Sequence, residues 1–191
     1  QFSQVCEIIP HNWPLVPVRG KQPYQKGWLA KNYDRPEILA ALESGKATGV
    51  GLKLGNGLLA IDIDGESATR LLLKLADDNS LKDFSATTAW TSDRPERKQC
   101  LFSVAETDWC RLSNLRIGTG VTGDDGKEEG LEFRWRRCQS VLPPSIHPDT
   151  GKPYIWLNNP LETSPALAPE WLISLCENWH SEYAGKDEID L

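Results

Sequence analysis

The chain has 191 residues, of which 39% are hydrophobic and 25% are charged, and its formal net charge is −6. This composition is typical of a globular protein with a sizeable core and excludes a largely disordered chain. The five cysteines are odd in number and include no Cys-x-x-Cys pair, so neither a disulfide framework nor a zinc ribbon is indicated.

The acidic excess is concentrated at the C-terminal end, residues 177–191, and the rest is nearly neutral. A near-neutral body argues against a tight nonspecific binder of duplex DNA but permits transient contact with a template. No apolar stretch approaches the roughly 18 residues of a membrane span, and no charged, apolar leader is visible. We therefore predict a cytoplasmic protein without membrane contact, with a globular domain over residues 1–176 and an acidic tail or linker to further domains over 177–191.

The first quarter of the chain predicts two strands around a helix. Residues 13–18 are interrupted by proline, which is typical of an edge strand, and a loop with two lysines follows. Residues 34–37 carry capping signals for a short helix that Gly45 ends. Four glycines within residues 49–57 predict a strand and a tight hairpin turn into the next strand.

Residues 58–64, an apolar run that ends at Gly65, predict a strand that carries two carboxylates. Side chains alternate along a strand, so Asp62 and Asp64 share one face, about 7 Å apart, while the apolar residues between them face a core. Such a pair can bind divalent ions of the kind used in phosphoryl and nucleotidyl transfer. Aspartate beside glycine is also ordinary turn chemistry, so other segments must decide between the two interpretations.

The middle of the chain predicts a helix and a strand pair. Helical leucine spacing extends over residues 67–79, with Ser67 as the candidate cap. Residues 87–91 and 99–104 are interpreted as paired strands joined by a charged loop. Alternation in the second strand separates Cys100 from Gln99, so Gln99 is free to enter a site.

The last third predicts a glycine-rich loop, a strand and a closing helix. The loop covers residues 118–130, and the strand, residues 131–136, has the cleanest alternation in the chain. Glu132 and Arg134 share its polar face, which is either a site for metal and triphosphate or a solvated surface. Residues 169–179 predict the final helix.

Several motifs, taken in order, resemble the bifunctional primase-polymerase family, the prim-pol branch of the archaeo-eukaryotic primases. They are Asp62-x-Asp64-Gly65, the Glu132-x-Arg134 strand, the segment 142–147 with its Pro-Pro-Ser-x-His ending, and the opening residues 13–28. The resemblance covers most of the chain. It implies an α+β fold in which an RRM-like catalytic sheet packs against an N-terminal αβ module, with residues 1–176 as the catalytic domain.

The resemblance also assigns roles to residues. Asp62 and Asp64 match the first metal-binding motif and Glu132 the third acidic ligand, and these three are the expected catalytic residues. The residues expected to bind the nucleotide are Arg97, Gln99, Arg134 and His147. One departure concerns the second motif of the family, a serine, any residue and a histidine, which here is Arg97-Lys98-Gln99. Glutamine can donate to a phosphate oxygen but carries no charge, which Arg97 could supply.

The implied function is template-directed nucleotidyl transfer, as a DNA primase or DNA polymerase in replication, with two Mg²⁺ or Mn²⁺ ions and no zinc. The implied partners are single-stranded DNA, NTP or dNTP, and a helicase or other replication domains. The alternative is a degenerate module that only binds DNA or a replication partner. Two other enzyme classes also use paired aspartates: haloacid-dehalogenase-like phosphatases, whose later motifs are missing here, and metal-dependent glycosyltransferases, which leave the Glu132 strand unexplained.

Overall fold

The computed structural model describes Val5, residues 7–76 and residues 81–182. In that part the chain has an α+β fold, rich in strands and with few helices, which confirms the predicted fold class at this level. The helices are α1 (Arg35–Glu43), α2 (Glu66–Leu75), α3 (Leu81–Ser85) and α4 (Glu170–Glu182), with a 3₁₀ helix at Glu106–Arg111. The strands are β1 (Leu15–Arg19), β2 (Gln22–Pro23), β3 (Gly49–Lys53), β4 (Leu58–Asp64), β5 (Thr88–Thr91), β6 (Arg97–Ser103), β7 (Leu115–Thr122), β8 (Glu128–Arg134), β9 (Gln139–Leu142), β10 (Ile155–Asn158) and β11 (Ala166–Leu167).

The strands form two sheets. The smaller sheet has the order β2-β1-β3-β9, and the larger has the order β10-β5-β6-β4-β8-β7 with β11 added to β6. Strand β4 lies at the centre of the larger sheet and is antiparallel to both neighbours, β6 and β8. The strand that was predicted to carry the two aspartates therefore has a hydrogen-bonded partner on each side.

Two hydrophobic cores cover opposite faces of β4. Leu59, Ile61 and Ile63 are fully buried against apolar side chains of α2 and α4. On the other face, Ala60 is fully buried in the core of the smaller sheet. The two sheets are in contact at Ala60, whereas Asp62, further along the same face, is only partly buried and lines a cleft.

The predicted strand and tight turn before β4 are present, but β3 and β4 do not pair with each other as the strands of a hairpin would. Strand β3 pairs with β1 and β9, and the turn is closed by an isolated bridge between Gly55 and Leu58. Gly55 has a φ of +97°, and a Cβ there would lie 2.7 Å from the Trp135 carbonyl oxygen. Glycine therefore allows the chain to pass tightly from one sheet to the other. Strand β1, which was predicted as an edge strand, pairs with a strand on each side. Strand β3 pairs with it over Leu15–Val18, and the short β2 pairs only with Val18 and Arg19.

The loop predicted over residues 118–130 is also wrong, because most of it is the β7–β8 hairpin. Gly118 and Gly130 pair across the two strands. A Cβ on Gly130 would lie 2.5 Å from the Ile117 carbonyl oxygen, so glycine is needed there for close strand pairing. Only the tip, residues 123–127, lies outside the strands.

The three predicted helices are present, but some of their ends and caps differ from the prediction. Asp34 caps α1, in agreement with the prediction, and forms a capping box with Glu37. Ser67 does not cap α2, which begins after Gly65; the Glu129 carboxylate accepts the Ser67 backbone N–H at 2.8 Å and its hydroxyl at 2.6 Å. The predicted end of that helix at residue 79 lies outside the described residues.

Helix α4 extends to Glu182, so it crosses the predicted boundary at residue 176 between the globular domain and the acidic tail. The boundary and the tail both stay predictions. Residues 183–191 lie outside the described part. Within the described ranges, no helix combines the length and the apolarity that a membrane crossing requires.

Candidate active site

Strand register brings six of the seven predicted site residues, all except His147, to one face of the larger sheet. Asp62 lies directly opposite Gln99 of β6 and Glu132 of β8, and Asp64 lies opposite Arg97. Residues directly opposite each other in antiparallel strands share a face, so the three predicted carboxylates do lie on the same side of the sheet.

Each of these carboxylates is held by a side chain that the sequence assigned to nucleotide binding. Gln99 Nε2 donates to Asp62 Oδ2 at 3.0 Å. Arg97 Nη1 lies 2.8 Å from Asp64 Oδ1, and Arg134 Nη1 donates to Glu132 Oε2 at 3.1 Å. Arginines therefore neutralise Asp64 and Glu132 in this structure, whereas Asp62 is hydrogen-bonded to a neutral amide.

The face opens into a cleft of about 300 Å³ between the two sheets. Asp62 and Asp64 line it, together with Tyr154 and residues of β9 from the smaller sheet. Its cationic lining residues are Lys21, Arg94, Arg97, Lys98, Lys127 and Arg134. Six cations against two carboxylates make the cleft suited to a polyanion.

Burial raises the pKa of Asp62 to about 6. The negative charges of Asp64 and Glu132 act in the same direction, while the Arg134 guanidinium and the Gln99 amide oppose the shift. The ionised Asp62 carboxylate is therefore costly in this site unless a further positive charge accompanies it.

Several polar atoms in the cleft wall are buried without a hydrogen-bond partner among the described residues. They include Gln99 Oε1, Arg134 Nε, Gln139 Oε1 and Ser140 Oγ. Buried polar groups usually have a partner, so a cluster of free ones in one cleft indicates a place where a polar ligand or water binds. Gln139 and Ser140 were not predicted as site residues, because β9 is buried along its whole length and shows no alternation.

The hairpin tip adds Asp125, which was not predicted as a site residue either. Asp125 Oδ2 accepts from Arg97 Nη1 at 2.9 Å and from Arg94 Nη1 at 3.0 Å. The Arg97 hydrogen bond is the main reason why the pKa of Asp125 is well below its usual range. Arg97 thus bridges Asp64 on β4 and Asp125 on the hairpin tip.

His147 lies behind the cleft wall. It is fully buried, and its ring packs against Tyr154 with the centroids 5.5 Å apart. Burial is the main reason why the pKa of His147 falls to about 4, and Lys21 and Arg94 lower it further. The imidazole is therefore neutral at pH 7, and Tyr154 is the side chain of this pair that lines the cleft.

The donor atoms of the cleft suit a cation only in part. Among the described residues no group of three or more His, Cys, Asp or Glu side chains is gathered closely enough to hold a metal ion. Carboxylate oxygens are nevertheless the ligands that Mg²⁺ prefers, and Mg²⁺ often uses only one or two of them and takes the rest of its ligands from substrate phosphates and water. The Asp62–Asp64 pair fits that second pattern.

The fold and the cleft together define a class of protein: an α+β domain with a strand-borne carboxylate pair facing a strongly cationic pocket. The chain matches the family described as "Bifunctional DNA primase/polymerase, N-terminal" over residues 6–171, and it belongs to that family. The resemblance found in the sequence is thereby confirmed, and membership of this family implies a primase/polymerase type of function and nucleotidyltransferase activity in general. A search of curated proteins gave no match.

Proposed function

We propose that this domain is a template-directed nucleotidyltransferase that makes or extends primers on single-stranded DNA with Mg²⁺ or Mn²⁺. One observation carries the proposal: Asp62 and Asp64 face a cleft lined by six cationic side chains. A polymerase needs both parts, since carboxylates hold the metal and cations hold the triphosphate.

Asp62 and Asp64 are the residues that would hold the metal, and Glu132 is next to Asp62 in the strand register. Bound divalent ions would supply Lewis acidity for the attacking 3′-hydroxyl and for the departing pyrophosphate. The ionised form of Asp62 is the form that binds, and a cation beside it offsets the cost of burying the charge. Glu132 must first exchange its bond to Arg134 if it is to join the set.

Arg97, Arg94 and Lys127 are the residues best placed for the triphosphate. Arg97 and Arg94 share one carboxylate oxygen of Asp125, so a phosphate that takes its place keeps both guanidiniums paired. Gln99 replaces the histidine of the family motif and holds Asp62 through its amide nitrogen, leaving its oxygen without a partner among the described residues. In this proposal Gln99 orients Asp62 and Arg97 provides the positive charge.

The central experiment is incorporation of labelled NTP and dNTP on a single-stranded template with Mg²⁺ or Mn²⁺. The native domain should incorporate nucleotides, and Asp62→Ala and Asp64→Ala should reduce the rate by at least about a hundredfold, since each removes a metal ligand. Glu43→Ala is the matched control, because Glu43 is an exposed carboxylate at the end of α1. Equal incorporation by the native protein and the two variants would remove these residues from catalysis.

The alternative function is a degenerate module that binds DNA or a replication partner without polymerising. Two observations favour it: Gln99 in place of the histidine, and the ion pairs that occupy Asp64 and Glu132. Template binding without incorporation, and Mn²⁺ binding that does not depend on Asp62 and Asp64, would establish it. An RRM-like catalytic sheet, a helicase or other replication partners, and a cytoplasmic location belong to the same proposal. Family membership supports the first two.

A further inference from the structure

A second cleft of about 570 Å³ lies at the other end of β4, where the chain passes between the sheets. Its cationic lining residues are Lys53, Arg136 and Arg137, and no carboxylate of the described residues lines it. Its other lining residues include Pro14, Leu29, Leu54, Trp109 and Trp135. Trp135 is fully buried and belongs to the floor, whereas Trp109 is partly exposed. A pocket with three cations, one accessible indole and an apolar floor suits a ligand that has both negative charges and flat apolar groups.

The cations of this cleft are not neutralised by the part of the chain that the structure describes. Arg137 has no hydrogen-bonding or ionic partner there, and it is exposed. Lys53 donates to the Lys31 carbonyl oxygen and lies 5.7 Å from the centroid of the Tyr33 ring. Burial lowers the pKa of Lys53. Arg136 donates to the Trp109 carbonyl oxygen at 3.1 Å, which fixes its guanidinium at the rim.

Backbone strain coincides with the free arginine. Arg137 has a φ of +56°, a conformation that costs a residue with a side chain about 1 kcal/mol or more. Asn or Gly would occupy this position more readily. Strain of this kind clusters at binding sites, where the surrounding structure holds a side chain in a required position.

The second cleft adjoins the catalytic cleft. Residues 134 and 139–141 line the catalytic cleft, while residues 135–138, between them in the chain, line the second. Arg134 and Arg137 are three residues apart, at most about 10 Å even in an extended chain. A flexible polyanion that extends beyond the catalytic cleft could therefore reach the second set of cations within a short distance.

We propose that the second cleft binds single-stranded DNA, with Arg137 and Lys53 on its phosphates and Trp109 beside a base. The inference rests on the proposed function, because the strand it binds is the one on which the catalytic cleft acts. An acidic peptide would satisfy the cations equally well. The adjacency of the two clefts favours DNA, since only a strand already held in the catalytic cleft gains from a second contact at this place.

The test uses Arg137→Asn, which removes the charge and suits the left-handed backbone, and Lys53→Gln. Lys82→Gln is the control, because Lys82 is exposed on α3 and its replacement removes the same charge. Binding is measured by fluorescence anisotropy with labelled oligothymidylate of about 16 nucleotides, within the usual site sizes of single-strand binders, and with a trinucleotide. Melting temperatures no lower than that of the native protein identify variants that fold normally. Arg137→Asn is expected to raise the melting temperature, because asparagine relieves the strained backbone.

We expect Arg137→Asn to weaken binding of the longer oligonucleotide by roughly fivefold at low salt and to reduce the slope of log K against log salt by about 0.7, the loss of one phosphate contact. Lys53→Gln should act in the same direction, and Lys82→Gln should have no effect. The trinucleotide should bind all variants alike, because it occupies the catalytic cleft alone. An unchanged affinity and salt slope for Arg137→Asn would overturn the inference, as would an Arg137-dependent affinity for an Asp- and Glu-rich peptide but not for DNA.

The two proposals fail separately. Loss of DNA affinity in Arg137→Asn, together with nucleotide incorporation that survives Asp62→Ala, would leave the second cleft standing and refute the catalytic assignment. The reverse result, with incorporation dependent on Asp62 and binding independent of Arg137, would refute the second cleft alone.

Discussion

Replacement of Asp62 by asparagine should stabilise the metal-free protein at neutral pH while it removes metal binding. The carboxylate is partly buried, next to Asp64 and Glu132, and its pKa is raised to about 6 from an ordinary value of 3.8. The asparagine side chain would carry no charge and could still accept the hydrogen bond from Gln99 Nε2. The folded variant is thus relieved of the cost of an ionised group in a desolvated position.

The size of the effect follows from the shift in the pKa. A rise of about two units corresponds to about 3 kcal/mol between the two protonation states, which is an upper limit for the gain. The folded state holds this proton more tightly than the unfolded state, so the contribution is fully present below pH 3.8 and is lost as the pH rises through about 6. The advantage of Asp62→Asn should therefore be absent near pH 4 and complete above pH 7. For a chain of this size, each 1 kcal/mol moves the melting temperature by about 2–4 °C.

The assay is thermal and urea unfolding in EDTA from pH 4 to pH 8, repeated with Mn²⁺. Added Mn²⁺ should stabilise the native protein and leave Asp62→Asn unchanged, because the ligand acts only on a folded state that binds it. Asp64→Asn is the matched control: Asp64 is paired with Arg97 at 2.8 Å, so its replacement breaks an ion pair and should bring no gain. If Asp62→Asn is no more stable than the native protein at pH 7.5, the cost assigned to this carboxylate is wrong.

Two further predictions concern residues around the site. Because burial lowers the pKa of His147 to about 4, NMR of its imidazole should show the neutral form from pH 5 to pH 8. The contribution of this group to stability should decline only as the pH falls from about 6.5 towards 4. A titration midpoint near 6.5 would contradict the buried placement. Glu129→Gln should lower the free energy of unfolding by about 1 kcal/mol in urea titrations, since the Glu129 carboxylate provides the cap of α2 through Ser67. Glu43→Gln serves as the comparison. Equal stability of the two variants would refute the capping role.

The sequence predicted which charged side chains share a strand face better than it predicted which strands lie beside β4, for a physical reason. Alternation determines which side chains share a face, so Asp62 with Asp64, and Glu132 with Arg134, could be paired from the order of residues alone. It does not determine which strands become neighbours. The placement of Gln99 and Glu132 on either side of Asp62 was therefore open, and the contribution of β9 from the other sheet was unforeseen.

The misread segments share a cause as well. Gly118 and Gly130 suggested a loop, although they serve close pairing of β7 and β8, and the turn at Gly55 suggested a hairpin, although it connects two sheets. Glycine marks a place where the backbone approaches something closely, and the sequence alone does not say whether that is a turn, a partner strand or another sheet. Asp125 was missed because the hairpin that carries it was taken for a loop.

The ion pairs in the catalytic cleft explain how a site with so much charge can fold before it binds anything. Arg97 is shared between Asp64 and Asp125, and Arg134 is held by Glu132, so most of the cost of desolvating these guanidiniums is already offset in the free protein. A triphosphate accompanied by a divalent cation brings charges of both signs. Its phosphates can replace the carboxylates as partners of the arginines, while its cation can replace Arg97 as partner of Asp64 and give Asp62 the positive charge that Gln99 does not supply. Binding is then an exchange of partners rather than an addition of charge, and either component alone would leave one half of the exchange uncompensated.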